Sequence, residues 1–129
     1  MSRVYVVEPQ SLFGPEIERL VSEAGGTVAR MTAVLDIDEL IAAAPDVVLL
    51  DLDFTPYDVL EVLDVLRSEA PWLRPIILTT EHRRGWLATC RAAGAAAVVS
   101  KSAPDGEVIH DLRVVLDGGT VWDPRVEVA

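Results

Sequence analysis

Two aspartates follow an apolar run in the middle of the chain. Asp51 comes directly after residues 47–50, which read Val-Val-Leu-Leu, and Asp53 stands two positions later. A carboxylate at the end of a strand can attack a phosphoryl group, and a second acid nearby can hold the Mg²⁺ that phosphoryl transfer uses. Residues 51–55, Asp-Leu-Asp-Phe-Thr, therefore indicate phosphate chemistry, either in a phosphohydrolase or in a protein that accepts a phosphoryl group on Asp51.

The surrounding sequence predicts a parallel sheet that would hold these residues. Short apolar runs alternate with stretches whose apolar residues repeat at helical spacing. The predicted strands cover 4–7, 27–31, 47–50, 76–78 and 96–99, and the predicted helices cover 11–24, 36–43, 58–70, 84–93 and 104–117. The third to fifth strands are apolar throughout, which is typical of parallel strands covered by helices on both faces. We therefore predict a single α/β domain with a doubly wound, five-stranded parallel sheet in (βα)5 order.

Polar residues follow four of the five predicted strands. In a doubly wound sheet, ligands bind at the carboxyl ends of the strands. The residues expected there are Glu8, Asp51, Asp53, Thr79, Thr80, Ser100 and Lys101. This set suits phosphoryl transfer to Asp51, because the hydroxyl of Thr79 and the ammonium of Lys101, the only lysine, can bind the phosphoryl oxygens. Glu8 and Asp53 form an acidic pocket and are candidate metal ligands.

Composition narrows the kinds of protein further. A net charge of −10 over 129 residues disfavours direct binding to nucleic acid. The sequence contains no apolar stretch of membrane-spanning length and no signal peptide, so we expect a cytoplasmic protein without membrane contact. The single cysteine, Cys90, lies among alanines in a predicted helix, which indicates a small buried hydrophobe rather than a nucleophile.

Five segments, taken in order, resemble the receiver domain of bacterial two-component response regulators, and in particular the LuxR/NarL type. They are residues 4–13, 45–53, 75–80, 94–101 and 118–124. The resemblance implies a flavodoxin-like fold, with Asp51 as the phosphoacceptor for a histidine kinase. It implies that Thr79 and Lys101 bind the phosphoryl group and switch the domain. It also implies Mg²⁺ as the cofactor and a DNA-binding output domain outside these residues.

Four positions depart from the pattern of that family. Pro9 stands where the family has a second acid that binds the metal, and proline has neither a side-chain ligand nor an N–H. Mg²⁺ binding should therefore be strongly weakened. Thr55 and Val59 replace the proline and the glycine that often follow the acceptor, so the loop should take a different path. Val98 replaces the aromatic residue whose ring moves inward in the family's switch.

We therefore expect an atypical receiver domain that is not an enzyme and that forms the regulatory half of a transcription factor. Residues 1–120 form the domain in this interpretation, and 121–129 begin a linker or C-terminal tail. A homodimer is expected, either through the fourth helix, fifth strand and fifth helix or through the first and fifth helices. Trp86 is a candidate anchor for that interface, because aromatic residues are enriched at interfaces, and burial in the core of the domain is the alternative.

Two alternatives stay open. In the first, the receiver is a working phosphoacceptor on Asp51, with Glu8 and Asp53 holding a weak Mg²⁺ site. In the second, the chain is a phosphohydrolase that uses Asp51 and Asp53, as in the haloacid-dehalogenase-like phosphatases. The position of the motif disfavours the second alternative, because in those enzymes it follows the first strand of the domain.

Overall fold

A computed structural model describes residues 2–127 as six parallel strands and five α-helices. The strands are β1 (Ser2–Val7), β2 (Gly26–Thr32), β3 (Val47–Leu50), β4 (Arg74–Thr79), β5 (Ala97–Ser100) and β6 (Val121–Trp122). The helices are α1 (Gly14–Glu23), α2 (Ile37–Ala43), α3 (Val59–Glu69), α4 (Trp86–Ala92) and α5 (Asp105–Leu116). The strands lie in the order β2-β1-β3-β4-β5-β6, which is the doubly wound arrangement that the sequence predicts.

The apolar strands place alternate side chains on the two faces of the sheet. In β3, Val47 and Leu49 pack with α1 and α5, whereas Val48 and Leu50 pack with α2, α3 and α4. All four side chains are buried. This two-sided burial is the reason that the strand reads as a continuous apolar run rather than as an alternation. Cys90 is also buried, in the α4 side of the core, as predicted.

Side-chain caps start two of the helices next to the sheet. Asp58 accepts hydrogen bonds from the N–H groups of Leu60 and Glu61, at 2.9 and 3.1 Å, and α3 begins at the next residue. Asp36 does the same for α2 through the N–H of Glu39, at 3.0 Å. Caps of this kind satisfy N–H groups that have no partner inside the helix.

The C-terminal segment corrects the prediction of five strands. Residues 121 and 122 pair in parallel with residues 97 and 98 and form the sixth strand. Val126 is fully buried beyond them, and the carboxylate of Asp123 accepts the N–H of Ser100 at 3.2 Å. The segment expected to begin a linker at residue 121 therefore packs on the domain as far as Glu127, the last described residue. A strand of two residues is too short for a periodic pattern to reveal it.

Met1, the first residue of the predicted domain, and residues 128–129 of the predicted linker or tail lie outside the described residues. Within residues 2–127, no helix combines the length and the hydropathy that crossing a bilayer requires.

Candidate functional site at the carboxyl edge of the sheet

The carboxyl ends of four neighbouring strands bring the predicted polar residues to one edge of the sheet. Glu8 follows β1, Asp51 follows β3, Thr79 ends β4 and Lys101 follows β5. Backbone hydrogen bonds continue the strand pairing to this edge: the N–H of Asp51 donates to the Val7 carbonyl at 3.0 Å, and that of Lys101 to the Thr79 carbonyl at 2.9 Å. The sheet thus places these side chains side by side, as parallel strands require.

Lys101 pairs with both aspartates of the central motif. Its Nζ lies 2.7 Å from Asp51 Oδ1 and 3.1 Å from Asp53 Oδ2. The two carboxylates are largely buried, with side chains 7% and 11% exposed, so solvent screens these pairs weakly. Burial alone would lower the pKa of Lys101, but the hydrogen bond and charge of Asp51, followed by those of Asp53, raise it overall.

Asp53 receives three further hydrogen bonds from the end of β4. The hydroxyl of Thr79 donates to Asp53 Oδ1 at 2.9 Å, and both the N–H and the hydroxyl of Thr80 donate to Oδ2, at 2.7 and 2.9 Å. The N–H of Glu81 donates to Thr79 Oγ1 at 3.0 Å, which leaves the Thr79 proton free to point at Asp53. Burial would raise the pKa of Asp53, but the donors of Thr80, Thr79 and Lys101 together hold it below its ordinary value.

Glu8 lies at the same edge, but unlike Asp53 it has few hydrogen-bond donors around its carboxylate. It is 4% exposed, its Oε1 accepts the N–H of Gln10 at 2.9 Å, and its Oε2 has no hydrogen-bond partner among the described residues. Burial, together with the nearby Asp51 carboxylate, raises the pKa of Glu8 to about 7. Pro9, the next residue, contributes no side-chain oxygen that could share the position with Glu8.

These acids do not form a site for a divalent cation as they are placed. Within residues 2–127, no cluster of three or more Asp, Glu, His or Cys side chains is arranged to hold a metal ion. Asp51 and Asp53 are instead both paired with Lys101. Mg²⁺ requires near-octahedral oxygen ligands, so the residues present do not fit the ion that the family resemblance implies.

The loop after Asp51 closes through Thr55 rather than through a proline. The Thr55 hydroxyl donates to the Leu52 carbonyl at 2.7 Å, and Thr55 Oγ1 accepts the N–H of Tyr57 at 3.3 Å. Phe54, at the tip, has a φ of 60° and is 90% exposed, which is an uncommon conformation for a bulky residue. Val59 is the first residue of α3. The loop thus turns Asp53 toward Thr79 and Thr80 and its phenylalanine toward solvent.

Val98 is fully buried in the core beneath α4. It pairs with Ile77 on one side and with Trp122 on the other. Valine fills this space without a ring that could turn between an inward and an outward position. The structure thus contains no aromatic side chain at the position where the family resemblance places one.

The loop between β4 and α4 is attached to the C-terminal segment. The Glu127 carboxylate accepts the N–H groups of Gly85 and Leu87, at 2.9 and 3.0 Å, and the N–H of Arg83 donates to the Val126 carbonyl at 2.9 Å. No local pattern in the sequence connects residue 127 with residue 85, so this contact could not be predicted. The backbone N–H of Thr80 likewise carries no sequence signal, so its bond to Asp53 could not be predicted either.

Trp86, a candidate anchor for a dimer interface or a core residue, lies in the core of the domain. It is 5% exposed, and the guanidinium of Arg83 lies 4.5 Å from the centre of its ring. The spacing of apolar residues in so short a helix does not show whether an aromatic side chain lies at an interface or in the core. Here the packing of α4 against the sheet buries the Trp86 ring.

No family model matches the chain. A curated relative, the transcriptional regulatory protein MctR of Rhizobium johnstonii, is 26% identical over 104 residues, which cover 81% of this chain and 48% of MctR. The chain therefore spans about half the length of the curated relative that it matches.

Solved structures resemble the chain over nearly its whole length. A LuxR-family two-component response regulator from Aurantimonas sp. SI85-9A1 has a TM-score of 0.84 at 22% identity, covering 98% of this chain and 92% of that one. The isolated REC domain of RcsB from Salmonella enterica serovar Typhimurium, solved with the phosphomimetic BeF3⁻, has a TM-score of 0.81 at 16% identity, covering 97% and 95%. RcsB has also been solved as two dimers bound to DNA. The chain thus has the same fold as these response-regulator structures.

Proposed function

We propose that the chain is the receiver domain of a transcription regulator and that it acts through protein contacts in a state that phosphorylation does not set. The observation that carries this proposal is the pairing of Asp51 and Asp53 with Lys101 at an edge that offers no metal site in residues 2–127. Phosphoryl transfer to a carboxylate relies on a cation to neutralise the phosphoryl oxygens. A site that binds Mg²⁺ poorly is therefore a poor phosphoacceptor.

The role in transcription is supported by the relative MctR, which is described as a transcriptional regulatory protein and is about twice as long as the matched region. In this proposal, an output domain outside the present chain binds DNA. The acidic charge of −10 suits such a division of labour, because it disfavours contact between this domain and the phosphate backbone.

Dimerisation is the contact that we propose for signalling, either through α4, β5 and α5 or through α1 and α5. RcsB provides an example of a protein with this fold that forms dimers on DNA. On the α1–α5 side, Arg19 already pairs with Glu16, Glu23 and Asp105 of its own chain. Because those charges satisfy one another within the domain, a partner on that side would have to compete with them or use other residues.

The test is two-dimensional NMR of the domain during titration with Mg²⁺ and then with beryllofluoride, a mimic of the phosphoryl group. We expect no saturating shifts at Asp51, Thr79 or Lys101 in the wild-type domain at millimolar Mg²⁺. The matched variant is Pro9→Asp, which restores the missing carboxylate beside Glu8. We expect millimolar Mg²⁺ to shift the same signals in that variant, because the added carboxylate supplies a second charged oxygen ligand.

A wild-type response that saturates, and that disappears in Asp51→Asn, would contradict the proposal and support the alternative of a working phosphoacceptor. If neither the wild type nor Pro9→Asp responds, the proposed phosphate-independent state stands, but Pro9 is not its cause. The phosphohydrolase alternative has a separate readout: it requires turnover of a phosphate ester that depends on Asp51.

A further inference from the structure

Four hydrogen-bond donors from two strands converge on a single carboxylate at this edge. Two hydroxyl groups, one backbone N–H and one ammonium lie 2.7 to 3.1 Å from the oxygens of Asp53. The donors belong to Thr79 and Thr80 at the end of β4 and to Lys101 after β5, while Asp53 belongs to the loop after β3. The Asp53 carboxylate is thus an anion that is bound by donors of the same domain.

The same donors would suit a tetrahedral oxyanion. Hydroxyl, backbone amide and ammonium groups that surround a dry position stabilise the oxygens of phosphoryl groups. Asp51 receives one of these donors, Lys101, at 2.7 Å, and its other described donor is the N–H of Asp53, at 3.4 Å. The strongest set of donors at this edge is therefore directed at Asp53 rather than at the acceptor expected from the sequence.

We propose that Asp53 is an internal ligand, whose carboxylate fills an oxyanion site built by Thr79, Thr80 and Lys101 and so holds the loop after β4 in a bound conformation without phosphate. This inference rests on the proposed function and gives it a physical cause. Asp51, Asp53 and Lys101 together carry one net negative charge, which repels an incoming dianion. Removal of the Asp53 carboxylate leaves Asp51 and Lys101, and the net charge of the three positions becomes zero.

An anion from solvent has a route to the donors of Thr79 and Thr80, while Lys101 lines the neighbouring cleft with Glu8 and Asp51. Asp53, Thr79 and Thr80 line a cleft of about 350 Å³ between the loop after β3 and the loop before α4. The cleft is large enough for a phosphate ion. The Asp53 carboxylate, rather than the size of the cleft, is therefore what keeps phosphate from these donors. The loop that bears Thr80 leads directly to the residues that Glu127 holds, Gly85 and Leu87. A change in the group that occupies the oxyanion site should therefore also change the position of α4, because the same loop contacts both.

The experiment is a titration of the domain with inorganic phosphate, without Mg²⁺, followed through the backbone amide signals of Thr80 and Lys101. We expect Asp53→Ala to bind phosphate at least about tenfold more tightly than the wild type, because a like charge within a few ångströms has been removed. The matched control is Glu18→Ala, which removes the same charge from an exposed position on α1 that does not line the cleft. This control should bind phosphate like the wild type.

Asp53→Asn provides a second variant in case alanine disturbs the loop. It retains the shape and an oxygen for Thr79, but it loses the charge that Lys101 faces. We expect intermediate phosphate binding, and we expect the Thr80 amide signal to move upfield because the amide loses a charged acceptor.

Three outcomes separate this inference from the proposed function. Tight phosphate binding by Asp53→Ala, with weak binding by the wild type and by the control, supports both the internal ligand and the proposed function. Weak binding by every variant, or equal strengthening by Glu18→Ala, overturns the internal ligand and leaves the Mg²⁺-independent function standing. Wild-type binding as tight as that of Asp53→Ala overturns the internal ligand as well, and the separate Mg²⁺ titration of the wild type then decides the proposed function.

Discussion

At the scale of single residues, two acids at one edge of the sheet have pKa values displaced in opposite directions. Asp53 is held below its ordinary value because four donors outweigh its burial, whereas burial without enough donors raises that of Glu8 to about 7. The depressed pKa of Asp53 favours the folded state above about pH 4, and this contribution is lost as pH falls further. The raised pKa of Glu8 has the opposite consequence, because the folded state retains a proton that the unfolded state releases.

Glu8→Gln should therefore stabilise the domain at neutral and higher pH. The unfolded Glu8 ionises near pH 4.5, whereas the folded Glu8 keeps its proton up to about pH 7. The wild type consequently loses stability between these values, and glutamine, which does not ionise, avoids that loss. We expect the variant to be more stable by on the order of 2 kcal/mol at pH 8 and nearly equal to the wild type at pH 4.5.

Urea unfolding of both proteins at the two pH values measures this difference. Comparison with the wild type cancels the other titrating groups, since they are common to both proteins. A stability difference that is the same at pH 4.5 and pH 8 would mean that Glu8 ionises normally in the folded state.

At the scale of the elements, the loop between β4 and α4 is held at both of its ends. Thr79 and Thr80 bind Asp53 at the beginning of the loop, and Glu127 binds Gly85 and Leu87 at its end. The chain's exit from the domain therefore contacts the same loop that the expected phosphate site contacts. This connection does not require the aromatic ring that Val98 replaces, because it runs through the loop and not through the core.

Glu127→Ala should loosen the start of α4. The variant leaves the N–H groups of Gly85 and Leu87 without their carboxylate, and the loss of a helix cap costs about 1 kcal/mol. We expect faster hydrogen exchange at these two amides, measured by NMR, together with a small loss of stability. Glu18→Ala is the matched control, because it removes one negative charge from an exposed position in the middle of α1. Unchanged exchange at Gly85 and Leu87 would show that the C-terminal segment does not hold α4 in solution.

At the scale of the whole molecule, the domain extends beyond residue 120, where the sequence predicted that it ends. Val126 is fully buried, Trp122 is half-buried with the Arg91 guanidinium 5.6 Å from its ring centre, and Asp123 is buried at 3% exposure. These residues cover the end of the sheet and the α4 side of the core. The output domain that we propose would therefore begin from a segment that is already fixed to this domain.

Truncation after Thr120 should destabilise the domain by about 3 kcal/mol or more. It removes the buried Val126, the half-buried Trp122 and the pairing of β6, and burial of a single large apolar side chain contributes about 1.5–3 kcal/mol. Truncation after Glu127 is the control, because it keeps every described residue of the C-terminal segment. Urea unfolding compares the two proteins, and equal midpoints would mean that residues 121–127 only rest on the surface.

The fold and the membership of the site could be predicted from the sequence because both depend on local patterns. Continuous apolar runs indicated the buried strands, helical spacing indicated the elements between them, and the polar residues after four of the strands indicated the edge of the sheet. The strands β1 and β3 and the helices α3 and α5 lie within two residues of their predicted positions at both ends. The departure at Pro9 could also be seen in the sequence, because a proline cannot supply a carboxylate.

Only the tertiary structure determined which of the site residues bind one another. Asp53 and Thr80 are separated by 27 positions, and only the packing of two loops directs the carboxylate of one to the N–H of the other. The pKa of Glu8 depends on burial and on Asp51, the position of Trp86 depends on the core beneath α4, and the sixth strand depends on a free edge of β5. These features arise from contacts between distant parts of the chain, which no local pattern records. The sequence determined which groups meet at the edge of the sheet, and the fold determined which of them are already bound.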